Sequence, residues 1–560
     1  MRAASITAPV GWQGASSFEA AGTSGVSAMQ MAVVDDDTVL IFDKEENNPL
    51  KLNGQSVWGS LYSIGSAEVT ALEMQTNSFC AGGGWLSNGT MISVGGSPLT
   101  SESENQSEES VVGWDGLRMF TPGQAGGGQV YEDPSRLRLT SKRWYPSTTR
   151  LEDGSVIIFG GMEKEGFNNV DPAADNPTLE FWPPKFDGQA IPSKFLVDAL
   201  NTNLFPVTFL LPSGDIFVAA NTLAMTYNWQ TNKETRLPSL PNGVRINYPA
   251  SAASTLLPLT IANDWTPEVI LCGGSSAASI EAGKGLSADS PASAQCSRIV
   301  LDQAGIKAGW ATETLPEARV MGDAVLTPDG QVLIINGAGT GQAGFSNVKD
   351  GSQIGESNAK NPVLRPTLYS PTAPAGKRFT ISLASSKSER LYHSSASLIP
   401  DGRVIVAGSN PNLDFSTTPY ITRYNVEMFS PPYLAQPRPA YTGLPTGFTY
   451  GASFTLNVTL AANTSTVQAV LMDLGYSTHG VHMSQRWVEL TAALNGTSLV
   501  VNAPATAGLF PPGPGWVHIL ADGIPSEARK VMVGDGADPP YSEEAMQGLL
   551  QSAAKSTTAD

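Results

Sequence analysis

One hydrophobic pattern recurs seven times along this chain. Small or polar residues lead into a short apolar run, a turn follows, and a second apolar run ends in small residues. The clearest copy spans residues 393–408, HSSASLIPDGRVIVAG. Its Pro400-Asp401-Gly402 centre is a turn with a mechanism: proline presets φ, and Asp-Gly tolerates the left-handed geometry of a tight hairpin. The other copies cover residues 29–43 (degenerate), 79–96, 146–161, 206–221, 249–274 (longer) and 320–337. Their ends lie 53 to 71 residues apart, the spacing of a four-stranded kelch-like blade stretched by loops. Seven copies predict an all-β, seven-bladed kelch-like β-propeller, each visible pair forming the inner strands of a blade. Weaker amphipathic runs such as 117–120, 179–182 and 426–429 supply the outer strands.

Polar segments rich in Gly, Ser and Asn at 98–112 and 338–361 read as long surface loops. Pro431-Pro432-Tyr433-Leu434, followed by Pro437 and Pro439, marks a boundary. Beyond it the blade ending disappears, and short strands are expected at 454–459, 467–471, 487–490, 498–502 and 515–521. That pattern suits an immunoglobulin-like β-sandwich. The expected division is 1–432 for the propeller with an N-terminal extension, 433–537 for the immunoglobulin-like domain, and 538–560 for a helical or frayed tail.

Composition narrows the function classes. A chain of 560 residues exceeds one core, and 56 Gly, 40 Pro and only 15% charged residues fit a turn-rich β protein. A net charge of −18 argues against nucleic acid or an anionic membrane as partner. No stretch reaches the roughly 18 apolar residues of a membrane span. Met1-Arg2-Ala3-Ala4-Ser5 leads into no apolar run of leader length. Sequons begin at Asn88, Asn105, Asn457, Asn463 and Asn495. Together these fit a secreted, extracellular glycoprotein in its mature form.

The three cysteines are Cys80, Cys272 and Cys296. Cys272 and Cys296 bracket a small-residue loop and are good candidates for a disulfide, typically worth ~3 kcal/mol for such a loop; three buried thiols are the alternative. If that bridge forms, Cys80 is left over. Only four histidines occur. His518 lies in the apolar run Trp516-Val517-His518-Ile519-Leu520 and reads as a core histidine. His479 sits in a turn-like stretch, Gly475-Tyr476-Ser477-Thr478-His479-Gly480-Val481-His482-Met483, able to reach outside its own domain. His482 reads as surface or as support for a ligand. His393 follows Tyr392 at the head of the clearest repeat. There is no HExxH or CxxC zinc motif, no GxSxG elbow, and no Gly-rich loop opening a helix. What remains is His, Tyr and Cys80. Imidazole with phenolate oxygen suits copper(II), and a phenol ionises near neutrality only beside a cation such as a metal.

Four separated motifs carry a resemblance. They are Thr76-Asn77-Ser78-Phe79-Cys80-Ala81-Gly82-Gly83, Arg143-Trp144-Tyr145-Pro146-Ser147, Arg390-Leu391-Tyr392-His393-Ser394 running on to Gly408-Ser409-Asn410-Pro411-Asn412, and Ser477-Thr478-His479. In this order they resemble the glyoxal oxidase branch of the galactose oxidase-like copper radical oxidases, over residues 20–537. Asn201-Thr202-Asn203-Leu204-Phe205-Pro206 and Arg319-Val320-Met321-Gly322-Asp323 match the same family outside the site.

The resemblance implies one copper ion held by Tyr145, Tyr392, His393 and His479. It implies that Tyr145 carries a radical and is joined to Cys80 by a thioether bond, which accounts for the odd cysteine. Tyr392 is implied as the axial ligand and general base, and His479 as a ligand delivered by the C-terminal domain into the central channel. Neighbours in a regular strand face opposite ways. Tyr392 and His393 can therefore share one copper only if regular pairing begins after His393, near Ser395. Galactose oxidase stacks a tryptophan over its thioether; no motif here matches it, and Phe167 and Trp182 are the nearby candidates. The implied reaction oxidises small aldehydes of the glyoxal and methylglyoxal type to carboxylic acids, with dioxygen reduced to hydrogen peroxide. Extracellular peroxidases that use peroxide and a monomeric state go with it. A primary alcohol oxidase of the same chemistry is the alternative; a non-catalytic kelch-type binding propeller is the alternative of another class.

Overall fold

The computed structural model describes residues 12, 14–98, 112–123, 128–164, 166, 169, 171–277 and 285–556. Strands dominate, and Glu543–Ser556 is the one helix longer than six residues among the described residues. Between residues 17 and 430 lie seven antiparallel sheets of four strands each, the first extended by a hairpin from the C-terminal region. The recurring apolar pairs are the two strands at one side of each sheet. Ser394–Leu398 pairs with Val404–Gly408 around the Pro400-Asp401-Gly402 turn, where Gly402 takes φ 94°. Regular pairing thus begins at Ser394, directly after His393.

The innermost strands neighbour one another in chain order. Gly82–Trp85 lies against Ser147–Arg150, followed by Val207–Leu210, Ala253–Leu256, Asp323–Leu326, Ser394–Leu398 and Gln30–Val33. The last sheet takes its outer strand from the start of the chain: Ser17–Thr23 pairs with Asn425–Ser430. This strand, SFEAAGT, is half-exposed and weakly patterned, so it carries no blade signature in the sequence.

After residue 440 two further sheets form. One joins Ala440–Thr442, Ser453–Thr459, Ser498–Asn502 and Ala492–Asn495; the other is built on Val467–Asp473, Arg486–Leu490 and Gly513–Ala521. Between Asp473 and Arg486 the chain leaves its sheet. It forms a hairpin, Tyr476–Thr478 and Val481–Met483, whose first strand pairs with Gln30–Val33 and whose second lies against the innermost strands of the third to sixth sheets. Buried polar groups hold its base. Asp473 is ion-paired to Arg150 at 2.6 Å and accepts from the Gly475 N–H at 2.9 Å. Gln485 accepts from the Leu326 N–H at 2.7 Å and donates to the Ala324 carbonyl at 2.9 Å. Gly83 must be glycine here, because a Cβ would sit 2.4 Å from the Tyr476 ring.

One sequence expectation is overturned and another is narrowed. Residues 338–361 are not a loop: Ala338–Phe345 and Ser357–Pro362 pair as a separate two-stranded hairpin inserted between the second and third strands of the sixth sheet. Most of the 98–112 segment lies outside the described residues. His482 is buried rather than at the surface, its Nε2 donating to the Leu474 carbonyl at 2.7 Å. Cys272 and Cys296 face each other in adjacent strands and are disulfide-bonded. His518 is fully buried within Gly513–Ala521. No helix among the described residues is long and apolar enough to cross a membrane.

Candidate metal centre

Six of the seven innermost strands are preceded, by one or two residues, by a non-glycine residue in the left-handed region. These are Cys80 (φ 56°), Tyr145 (65°), Phe205 (45°), Ser251 (40°), Met321 (59°) and His393 (64°). Each costs about 1 kcal/mol or more, so the surrounding structure must impose it. Hydrogen bonds between successive lead-ins do so: the Tyr145 N–H donates to Cys80 O (3.2 Å), the Phe205 N–H to Tyr145 O (2.9 Å), and the Met321 N–H to Ser251 O (2.6 Å). Repetition of one backbone device thus brings residues far apart in sequence to a common centre.

The hairpin delivers His479 to that centre. It turns at His479 (φ 50°) and Gly480 (φ 79°), the paired positive φ of a two-residue hairpin turn. The Cys80 Sγ lies 3.1 Å from His479 Nε2, 4.0 Å from His393 Nε2 and 3.7 Å from Tyr392 Oη. The imidazole centroids of His393 and His479 are 5.0 Å apart, and the Tyr392 ring lies 5.2 Å from that of His479. The Tyr145 ring is 6.0 Å from His479, edge to face. All five residues named from the sequence are therefore neighbours, and all are buried.

Hydrogen bonding fixes the tautomer of both histidines. His393 Nδ1 faces the Asn410 carbonyl at 3.1 Å; a carbonyl only accepts, so Nδ1 carries the proton. His479 Nδ1 faces Thr478 Oγ1 at 2.6 Å, while that hydroxyl donates its one hydrogen to the Met29 carbonyl at 3.0 Å. His479 Nδ1 must therefore be the donor. Both Nε2 lone pairs are left facing the Cys80 sulfur, the arrangement in which imidazoles ligate a metal. Cys80, His393 and His479 offer ligand atoms within 4.8 Å of one another.

Burial sets the electrostatics. Burial and the neighbouring His479 hold His393 well below its ordinary pKa, and burial takes His479 down to about 3, so both rings are neutral at physiological pH. Burial first, then the Cys80 thiol, pushes Tyr145 and Tyr392 well above the ordinary phenol value. Neither phenol ionises near neutrality unless a cation joins it. Two neutral imidazoles and two phenols around a buried point form a donor set that fits copper(II).

The wall of the site is aromatic. Tyr248 stacks on Tyr145 with centroids 4.5 Å apart and planes at 25°, its hydroxyl 3.5 Å from that of Tyr145. Phe205 lies 4.7 Å from His479, inside the site rather than outside it as the sequence suggested. Phe345, from the inserted hairpin, is 6.2 Å from Tyr392 and 6.4 Å from His393. Trp182 belongs to a separate apolar cluster with Leu86 and Val156, so it is not the stacked residue; Phe167 lies outside the described residues. A legible signal for Phe205 and Tyr248 did exist. Aromatic-Pro dipeptides, Tyr145-Pro146, Phe205-Pro206 and Tyr248-Pro249, lead into three consecutive repeats.

Comparison with known proteins agrees with this architecture. Residues 29–433 match the family model described as glyoxal oxidase N-terminus, and residues 438–533 match the galactose oxidase-like, Early set domain. An aldehyde oxidase of Vitis pseudoreticulata is 32% identical over 490 residues, covering 84% of this chain and 85% of that protein. One from Arabidopsis thaliana is 30% identical over 509 residues, covering 86% and 76%. A galactose oxidase of Gibberella zeae is 25% identical over 408 residues, covering 70% and 54%. A solved fungal alcohol oxidase in complex with copper superposes with a TM-score of 0.68 at 17% identity, covering 94% of this chain and 99% of that one, which shows a shared fold. A family model matched over most of the length, with relatives at 30% identity and above, means that the chain belongs to the glyoxal oxidase branch of the galactose oxidase-like copper radical oxidases.

Proposed function

We propose that this protein oxidises small aldehydes of the glyoxal and methylglyoxal type to carboxylic acids and reduces dioxygen to hydrogen peroxide. The observation that carries the reading is the pair of Nδ1-protonated histidines whose Nε2 lone pairs converge in a buried pocket with two phenols and a thiol. His393, His479, Tyr145 and Tyr392 would hold copper. Bound there, copper supplies one of the two one-electron stores that a two-electron oxidation needs. Tyr145, joined to Cys80 through a thioether bond, is the second store as a tyrosyl radical. Tyr392 accepts the hydroxyl proton of the hydrated aldehyde, and the Tyr145 radical takes the hydrogen from carbon. Two electrons and two protons leave the hydrate to give the acid; the same number convert dioxygen to peroxide. The aromatic wall excludes water.

The wider reading follows from the same framework. The seven sheets form a closed seven-bladed kelch-like propeller over 1–432. Support comes from the chain-order contact of the innermost strands and from the first strand completing the last sheet. An immunoglobulin-like sandwich follows over 433–537, then the tail at 538–560. The protein acts outside the cell as a monomer, where peroxidases consume its peroxide. A peroxide assay of the copper-loaded enzyme across glyoxal, methylglyoxal and matched primary alcohols tests the reaction. Turnover of the aldehydes is expected; turnover of alcohols alone would transfer the protein to the alcohol oxidases. Failure to bind copper would leave the binding-propeller alternative.

A further inference from the structure

The loop after Thr38–Phe42 holds an unexpected concentration of buried charge. Asp43, Lys44, Glu45 and Glu46 are all buried, and the side chains of Lys44 and Glu46 form an ion pair at 2.6 Å with no solvent exposure. Such a pair is weak evidence for stability, since apolar replacements are often neutral or better. Its surroundings suggest another role. The loop belongs to the first sheet and faces the 410–414 loop of the last sheet, where the two ends of the repeat array meet. Three sets of contacts cross this seam. Lys44 Nζ donates to the Leu413 carbonyl. The Asn47 backbone N–H and side-chain amide donate to Asp414 at 3.0 and 2.6 Å. The Asn410 amide donates to the Glu46 carboxylate at 3.0 and 2.8 Å.

Asn410 is the residue that grips both Tyr392 and His393. Its backbone N–H donates to the Tyr392 carbonyl at 2.9 Å, and its carbonyl accepts from His393 Nδ1 at 3.1 Å. Its side-chain oxygen accepts from Asn412 Nδ2 at 3.0 Å and Thr422 Oγ1 at 2.9 Å. Glu46 takes the amide nitrogen, so every hydrogen-bonding group of Asn410 is engaged. A peptide unit that fixes a ligand's tautomer and ring plane is effective only when it is itself immobile.

We propose that Glu46, held by Lys44, and Asn410 are positioning residues that set the geometry of the metal ligands Tyr392 and His393 across the seam between the first and last sheets. The proposal rests on the copper reading above. Outer partners of metal ligands typically affect metal affinity or activity 10- to 100-fold, and that range is expected here.

The test uses full-length protein, with copper affinity by chelator competition, the copper(II) electron paramagnetic resonance spectrum and the thermal melt read together. Lys44→Met with Glu46→Leu removes both charges at similar volume and leaves the Asn410 amide without its acceptor. We expect a melting temperature close to wild type, copper affinity reduced about 10- to 100-fold, and an altered spectrum. Lys44→Met with Glu46→Gln restores an acceptor for the amide and should recover most of the affinity, a rescue that a merely structural pair would not give. Asn410→Ala keeps the ion pair and removes the link to Glu46 together with the bonds from Asn412 and Thr422, so it answers the question if the double variants do not fold. Wild-type affinity and spectrum in Asn410→Ala, or in the folded Met/Leu variant, would overturn the proposal. If the wild-type protein itself binds no copper, the copper reading fails instead.

Discussion

Thr478 offers the sharpest single test of the site, because one hydroxyl decides which nitrogen of His479 can bind a metal. The Thr478 hydroxyl accepts from His479 Nδ1 at 2.6 Å and is itself oriented by the Met29 carbonyl at 3.0 Å. Thr478→Val keeps the branched shape and removes the acceptor. The Met29 carbonyl is not orphaned, since Ser395 Oγ also donates to it at 2.9 Å. The buried His479 N–H then has two options. It stays unpaired, at about 1–3 kcal/mol, or its proton moves to Nε2 and consumes the lone pair meant for copper. The metal-free protein escapes the cost by moving the proton to Nε2, whereas the metal-bound form needs that lone pair and so carries up to that energy. At 1.4 kcal/mol per factor of ten, copper affinity should fall between about 5- and 150-fold. Chelator competition measures the affinity, and the copper(II) electron paramagnetic resonance spectrum reports the altered ligand field. Thr478→Ser retains the hydroxyl and should behave as wild type. Thr478→Val with unchanged affinity and spectrum would refute the tautomer argument and, with it, His479 as a ligand through Nε2.

Three further outcomes are expected. Aerobic copper loading should yield a wild-type peptide map with the Cys80 and Tyr145 peptides joined and two hydrogens lighter, those hydrogens and their electrons passing to dioxygen; Cys80→Ser should keep its fold, show separate peptides and lose most peroxide output. Asp323 is fully buried, and burial raises its carboxyl to about 7 from 3.8. A folded value above the unfolded one gives stability that is complete below about pH 4 and lost as pH rises to about 7. At 1.36 kcal/mol per unit the difference is on the order of 4 kcal/mol, and urea unfolding of wild type against Asp323→Asn should show it disappear in the variant. Glycan mapping of protein from a secretory host should find Asn457, Asn463 and Asn495, which are exposed. It should not find Asn88, whose amide nitrogen is engaged by Asp538 at 2.7 Å; full occupancy at Asn88 would contradict that contact.

The sequence was most informative where local chemistry and periodicity agree. The Pro-Asp-Gly and Asn-Gly turns between apolar runs placed the inner strand pairs, because such a turn forces the two runs to pair antiparallel. The position of His393 at the head of its strand was also legible, since two adjacent residues cannot share a ligand point inside a regular strand. Contributions that depend on distant pairing left little local trace. Ser17–Thr23 pairs with a strand more than 400 residues away, and nothing in SFEAAGT announces it. The inserted hairpin Ala338–Phe345 and Ser357–Pro362 is polar and Gly-rich, a composition that reads as loop because its strands are held by backbone bonds rather than by an apolar face. Tyr248 and Phe205 were visible only as aromatic-Pro dipeptides, a pattern that gains meaning once the left-handed lead-in is known. The charged run Asp43-Lys44-Glu45-Glu46 has no apolar pattern in the sequence, and the facing 410–414 loop makes it an interior feature.

A repeated lead-in explains how the fold can build a redox centre without a dedicated domain. Six of the seven repeats present one strained residue just before the innermost strand, and these residues meet because the innermost strands neighbour one another. The side chain at that position can change while the hydrogen bonds that impose the backbone remain: Cys80 and Tyr145, Tyr145 and Phe205, Ser251 and Met321 are linked in the same way. Chemistry is thus separated from folding, with three lead-ins carrying the thiol, a phenol and an imidazole, and others carrying Phe, Ser or Met. The six lead-ins include a single imidazole. The hairpin Tyr476–Thr478 and Val481–Met483 brings a second, His479, to the same point at the cost of burying Asp473, Arg150 and Gln485 around its base. The centre therefore draws on the second, third and seventh sheets and on the C-terminal region at once. No contiguous piece of the chain contains it, and the hydrogen bonds from Asn410 of the last sheet to Glu46 of the first involve the residue that also bonds Tyr392 and His393.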